Sequence, residues 1–124
     1  MSVEFNRIDH VMITVGDLEI AKNFYEEILG FEEMDCPLQD GNRIWYKIGG
    51  QQLHVNLSKE HHKSGFGHFA VSVNYDNYHS YAKQVSEVGK VSCESQEFAD
   101  GVYRFFIDDP FDNTVEIHQE YKNA

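Results

Sequence analysis

The chain states nearly the same pattern twice, and that repeat limits its fold more than any other feature. "IDHVMITVGDLEIAKNFYEEILGF" opens with alternating apolar residues from Ile8 to Val15, the period of a strand with one face in a core. Asp17 then reads as a helix N-cap. Leu18, Ala21, Phe24, Tyr25, Ile28 and Leu29 fall at helical spacing, and Gly30 closes the helix. The second half, "FGHFAVSVNYDNYHSYAKQVSEVG", repeats the plan: a strand from Phe66 to Val73, a cap near Asn74 or Asp76, and a helix ending at Gly89. Its apolar stripe is Tyr78, Tyr81, Ala82, Val85 and Val88, which at this spacing reads as core rather than a stacking platform.

Each helix precedes three strand-like runs. In the first half these are Phe31 to Met34, "RIWYKI" and "QQLHVNL"; in the second, Lys90 to Cys93, "VYRFFI" and "NTVEIHQ". Gly49-Gly50 and "DDPFDN" supply turns, and beside Pro110 the pair Asp108 and Asp109 reads as turn chemistry rather than a catalytic carboxylate pair. "SKEHHKSG" joins the halves, and its adjacent His61 and His62 read as solvated. The expectation is an α+β domain spanning residues 1–124, built of two βαβββ modules at about residues 7–58 and 66–119. Neither module is large enough to fold well alone, so they should share a core. Mixed, mostly antiparallel sheets should curl around a central cup, with helices outside.

Composition narrows the function. Ten basic against 21 acidic residues give a formal net charge of −11, against a nucleic-acid or anionic-membrane footprint. No run approaches the roughly 18 apolar residues of a membrane span, and the opening "MSVEFNRIDH" has no signal-peptide core. Cys36 and Cys93 form neither a CxxC pair nor a disulfide framework, so a reduced cytoplasm is expected. The sequon at Asn56 lies in a strand-like run and should be inert there.

Side-chain parity then isolates four residues. Val11, Ile13 and Val15 point toward the first helix, which turns His10, Met12 and Thr14 the other way. Phe69, Val71 and Val73 do the same in the second half, turning His68 away. On the closing strands Leu53, Val55 and Leu57 leave His54 and Asn56 opposite, and Val115 and Ile117 leave Thr114, Glu116 and His118 opposite. Each half therefore offers one ligand-type residue on its first strand and one on its last, always away from the helix. A lone carboxylate in an enclosed cup costs several kcal/mol unless paired. Three neutral imidazoles and Glu116 around a divalent ion (zinc, nickel, manganese or iron(II)) would remove that penalty.

These stretches resemble the vicinal oxygen chelate superfamily, which includes glyoxalase I, fosfomycin-resistance proteins and extradiol dioxygenases. "DHVMITVGDLEIAKNFYEEILGF" is similar to the family's opening strand and helix, and "GFGHFAVSV" and "DDPFDNTVEIHQ" to its second-half opening and closing strand. The resemblance implies metal ligands at His10, His68 and Glu116, with His54 in the place where glyoxalase I usually holds a glutamate. It further implies a metal-dependent lyase or isomerase that stabilises an oxyanion of a small oxygen-bearing substrate, with Glu116 also available as a base. Thr14 stands where glyoxalase I tends to carry a glutathione-holding arginine. The chain ends at "QEYKNA", without the basic extension of fosfomycin thiol transferases, and a fourth ligand at His54 would crowd an extradiol dioxygenase site. The alternative is a metal-free binding protein of the bleomycin-resistance type, sequestering a small molecule. Arg43 and Arg104 are repeat equivalents and read as surface or strand-pairing residues. A homodimer is expected, with the four ligands meeting within one chain or across a swapped pair.

Overall fold

The computed structural model describes residues 3–60 and 67–122; His61 and His62 lie outside them. In chain order the elements are β1 (His10–Val15), α1 (Leu18–Lys22), a π-helical segment (Asn23–Ile28), β2 (Glu32–Met34), β3 (Arg43–Ile48) and β4 (Gln51–Leu57). Then follow β5 (His68–Val73), α2 (Tyr78–Gly89), β6 (Gln96–Glu97), β7 (Tyr103–Asp108) and β8 (Thr114–Gln119). They form two four-stranded sheets with the same plan, β1-β4-β3-β2 and β5-β8-β7-β6. The first and last strands of each half pair in parallel and the other neighbours run antiparallel.

Local chemistry explains most of these boundaries. The Asp17 carboxylate caps α1 by accepting from the Ile20 N–H at 3.0 Å. One turn later the helix widens, and the Leu29 N–H reaches back five residues to the Phe24 carbonyl. The widening turns Phe24 and Tyr25 inward together, and both are buried. The second helix starts later than the sequence suggests, with Asn77 as its N-cap and no side-chain cap bond. Its left-handed cap residue is Lys90, not a glycine. Gly89 is needed inside the helix, because a Cβ there would stand 3.0 Å from Ile28 Cγ2.

Lys90 to Cys93 forms no strand. The Cys93 N–H is held by the Ser86 hydroxyl at 3.1 Å, and pairing with β7 begins only at Gln96. Each half also enters its central hairpin through the same turn. Asp40 accepts from the Asn42 N–H and the Arg43 guanidinium; Asp100 accepts from the Val102 N–H and the Arg104 guanidinium. Gly41 and Gly101, at φ +75° and +78°, supply the left-handed residue between them.

One core serves both halves. Val15, Tyr25, Tyr46 and Val55 from the first half join Val85, Phe105, Val115 and Ile117 from the second in a single buried cluster. Polar ties cross the join. Asp109, 4% exposed, accepts from the Tyr25 hydroxyl at 2.7 Å and from Phe111 N, Asn113 N and Asn113 Nδ2. The other Asn113 Nδ2 proton goes to the Thr14 carbonyl. Asp109 is thus a turn residue, as the neighbouring proline implies, and burial beside it pushes the Tyr25 hydroxyl far above its usual pKa.

Candidate functional site

The register of the sheets fixes where the four candidate residues stand. Met12 pairs with His54 and Ala70 pairs with Glu116. His10 and His68 each lie two residues before those partners, so the two halves present their pairs at one register on equivalent strands. Parity places them on the sheet faces opposite the buried Val15, Leu53, Val55, Val115 and Ile117.

On the first sheet the pair is built of stacked rings. Trp45, directly across from His54, lies over it with centroids 3.9 Å apart and planes 4° from parallel. His10 covers the other face of His54 at 4.0 Å and 14°. His54 Nε2 donates to the Gln52 Oε1 carbonyl at 2.8 Å, since a carbonyl oxygen can only accept. Burial pushes the His54 pKa down, holding the ring neutral. His10 donates through Nδ1 to the Asp9 carboxylate at 2.9 Å, which leaves Nε2 outside that bond. That arrangement is the one metal-ligating histidines use to fix tautomer and ring orientation.

On the second sheet the pair is charged. His68 Nε2 stands 3.1 Å from Glu116 Oε1, and the ring sits edge-on to Phe106. The other carboxylate oxygen, Oε2, is 3.6 Å from Arg104 Nε, a buried donor with no hydrogen-bond partner among the described residues. Arg104 is largely buried, its guanidinium 4.4 Å over the Phe98 ring and tied to Asp100 at 2.8 Å. Asp100 in turn accepts from the Tyr121 hydroxyl.

His10 and His68 line the same cleft, an opening of about 380 Å³ along β1 and β5, with Val11, Gln52, Leu53 and Phe69 in its walls. The structure thus brings His10 to His54, His68 to Glu116, and His10 and His68 to one cleft. Among the described residues no three His, Cys, Asp or Glu side chains converge closely enough to hold an ion. Two neighbours escape a reading of strand parity alone. Trp45 is the plate over His54, and Arg104 is the cation beside Glu116 rather than a surface residue. The signal for Arg104 was present: "DGNR" and "DGVYR" precede equivalent strands, and Arg104 shares the parity of Phe106.

Solved structures share the architecture. A glyoxalase family protein from Bacillus anthracis superposes with a TM-score of 0.84 at 24% identity, covering 98% of this chain and 100% of its own. A genomically encoded fosfomycin resistance protein, FosX, from Listeria monocytogenes gives 0.75 at 15% identity, covering 97% and 98%. Lactoylglutathione lyase from Agrobacterium tumefaciens gives 0.70 at 23%, covering 91% and 92%. At these identities the likeness establishes the fold. Residues 7–117 match the family model of the Glyoxalase/Bleomycin resistance protein/Dioxygenase superfamily, and with nearly the whole chain so covered, the protein belongs to that superfamily.

Proposed function

We propose that the chain is a metal-dependent enzyme of glyoxalase-like, lyase or isomerase type, acting on a small oxygen-bearing substrate in the β1–β5 cleft. The observation that carries this reading is the matched register of the two donor pairs, with His10 and His68 bordering one cleft from a single chain. The donors fit a divalent ion in kind: two neutral imidazoles and one carboxylate suit zinc, nickel, manganese or iron(II). His10 is already oriented by Asp9, and His68 and Glu116 already touch. A bound divalent ion would supply Lewis acidity, stabilising negative charge that develops on a substrate oxygen.

The chain's own residues do the rest. His10, His68 and Glu116 would hold the ion, His10 with its ring restrained through Asp9. Arg104 stands beside Glu116 Oε2, so the carboxylate has a cation on one side and His68 on the other. Glu116 is also the group within the site able to take a proton from a substrate carbon or hydroxyl. Val11 and Phe69 line the cleft with apolar surface that displaces water from a bound substrate.

A second reading, metal-free binding of a small molecule, draws on the lack of a three-donor cluster among the described residues. Elemental analysis of tag-free protein separates the two. Near-stoichiometric metal in the parent, lost from a His68→Ala/Glu116→Ala variant that still folds, supports the enzyme reading. It would justify assays with hemithioacetal, epoxide and catechol substrates. A parent that stays metal-free after incubation with zinc, nickel, manganese and iron(II) leaves the binding reading.

A further inference from the structure

We infer that His54 is a positioning residue for His10 and not a fourth metal ligand, an inference that rests on the metal reading above. Sequence parity alone treats His54 as the counterpart of Glu116, and by strand register it is. Its surroundings are of another kind. Both faces of the imidazole are covered, by Trp45 at 3.9 Å and by His10 at 4.0 Å. Its outer nitrogen, Nε2, carries a proton committed to Gln52 Oε1 at 2.8 Å. Only Nδ1, the nitrogen nearer the backbone, keeps a lone pair. The β1–β5 cleft is lined by His10 and His68 and not by His54, and the Nε2 of His68 bonds to Glu116, its fellow donor, rather than to a side chain outside the set. Ligation by a swung ring would strip it from between two aromatic plates.

The same contacts give His54 a different task. His10 is half exposed on an edge strand, where an imidazole ordinarily samples several rotamers. Here one face lies flat on His54 and Nδ1 is tied to Asp9, two restraints that together fix the ring plane and direct Nε2. Trp45 backs His54 from behind, so the ordered unit is a three-ring stack with His10 as its outer plate. The first half then contributes one imidazole to the ion and the second half an imidazole and a carboxylate.

Cobalt(II) binding, followed by its visible absorption and by competition with a chelator, tests this in the wild type, His10→Ala, His54→Phe and His54→Ala. Phenylalanine keeps a flat ring between Trp45 and His10 but cannot ligate. The expected results are wild-type absorption in His54→Phe with affinity within about threefold, a loss of about tenfold in His54→Ala from a loosened His10, and a loss beyond a hundredfold in His10→Ala. Should His54→Phe lose cobalt as completely as His10→Ala, with an altered spectrum, His54 is a ligand and the inference is overturned. A wild type that binds no cobalt or zinc overturns the metal reading itself. Should the phenylalanine variant not fold, long-range ¹⁵N–¹H spectra of the wild type decide the point. On zinc addition the His10 and His68 Nε2 resonances should move to ligated values while His54 keeps its protonated Nε2; ligation shifts at all three histidines would overturn the inference.

Discussion

The two halves of this molecule share a strand order and a register and differ in what they do with them. Where the first half places His54 in a stack of rings, the second places Glu116 among His68, Arg104 and Asp100. Where the first closes its last hairpin with Gly49-Gly50, the second uses a turn organised around the buried Asp109. Repetition has kept the scaffold while side chains diverged toward packing on one side and charge on the other. A carboxylate in a half-enclosed face needs counter-charge, which Arg104 brings; a neutral imidazole needs only apolar cover and one acceptor, which Trp45 and Gln52 bring.

The sharpest way to break this comparison is at Asp109. Asp109→Ala strips acceptors from a buried hydroxyl and three N–H groups, and should cost about 3 kcal/mol or more in urea unfolding. The equivalent turn in the first half has no buried carboxylate to lose. Next come the aromatic plates. Trp45→Ala should cost about 2 kcal/mol, because it uncovers His54 and opens a gap. Phe106→Ala, at the equivalent strand position but half exposed, should cost about 1 kcal/mol. Near equality of the two would deny that the first half relies on stacking.

Smaller effects should be alike in both halves, because each has an Asp-Gly turn whose aspartate accepts from the N–H two residues on and from the arginine that follows. Gly41→Ala and Gly101→Ala meet no steric obstacle, so each should lose only the left-handed backbone term, about 1 kcal/mol. The smallest effect is in acid. Bonds from Asn42 N–H and Arg43 hold the Asp40 carboxyl below its usual range, and bonds from Arg104 and Val102 N–H do the same for Asp100. A depressed folded pKa stabilises above the unfolded value of about 3.9, and that contribution fades as pH falls through the folded value. Thermal midpoints of Asp40→Asn and Asp100→Asn should therefore lie slightly below wild type at neutral pH and converge with it as pH falls through the depressed folded-state pKa.

Much of this was legible in the sequence because it depends on short-range pattern. The runs "RIWYKI" and "QQLHVNL" became β3 and β4 with unchanged limits, and alternation alone put Leu53 and Val55 inside. Illegible features depend on side-chain contacts that strand and helix periodicity does not encode. Gly89 gives its place to Ile28, which pushes the left-handed cap onto Lys90, and Ser86 captures the Cys93 N–H where a strand was expected. In the site, parity named the face of His10, His54, His68 and Glu116 but said nothing of ring contacts. Trp45 over His54 and Arg104 beside Glu116 are cross-strand neighbours, and pairing across strands is set by hairpin register, not by sequence spacing.

The asymmetry of the two halves is tested most directly by X-ray absorption at the zinc edge of the zinc-loaded protein. The account predicts multiple-scattering features of two imidazoles with the remaining ligands oxygen, from His10, His68 and Glu116. A fit requiring three imidazoles would contradict it by placing His54 on the metal, and protein that takes up no zinc would remove the metal centre altogether.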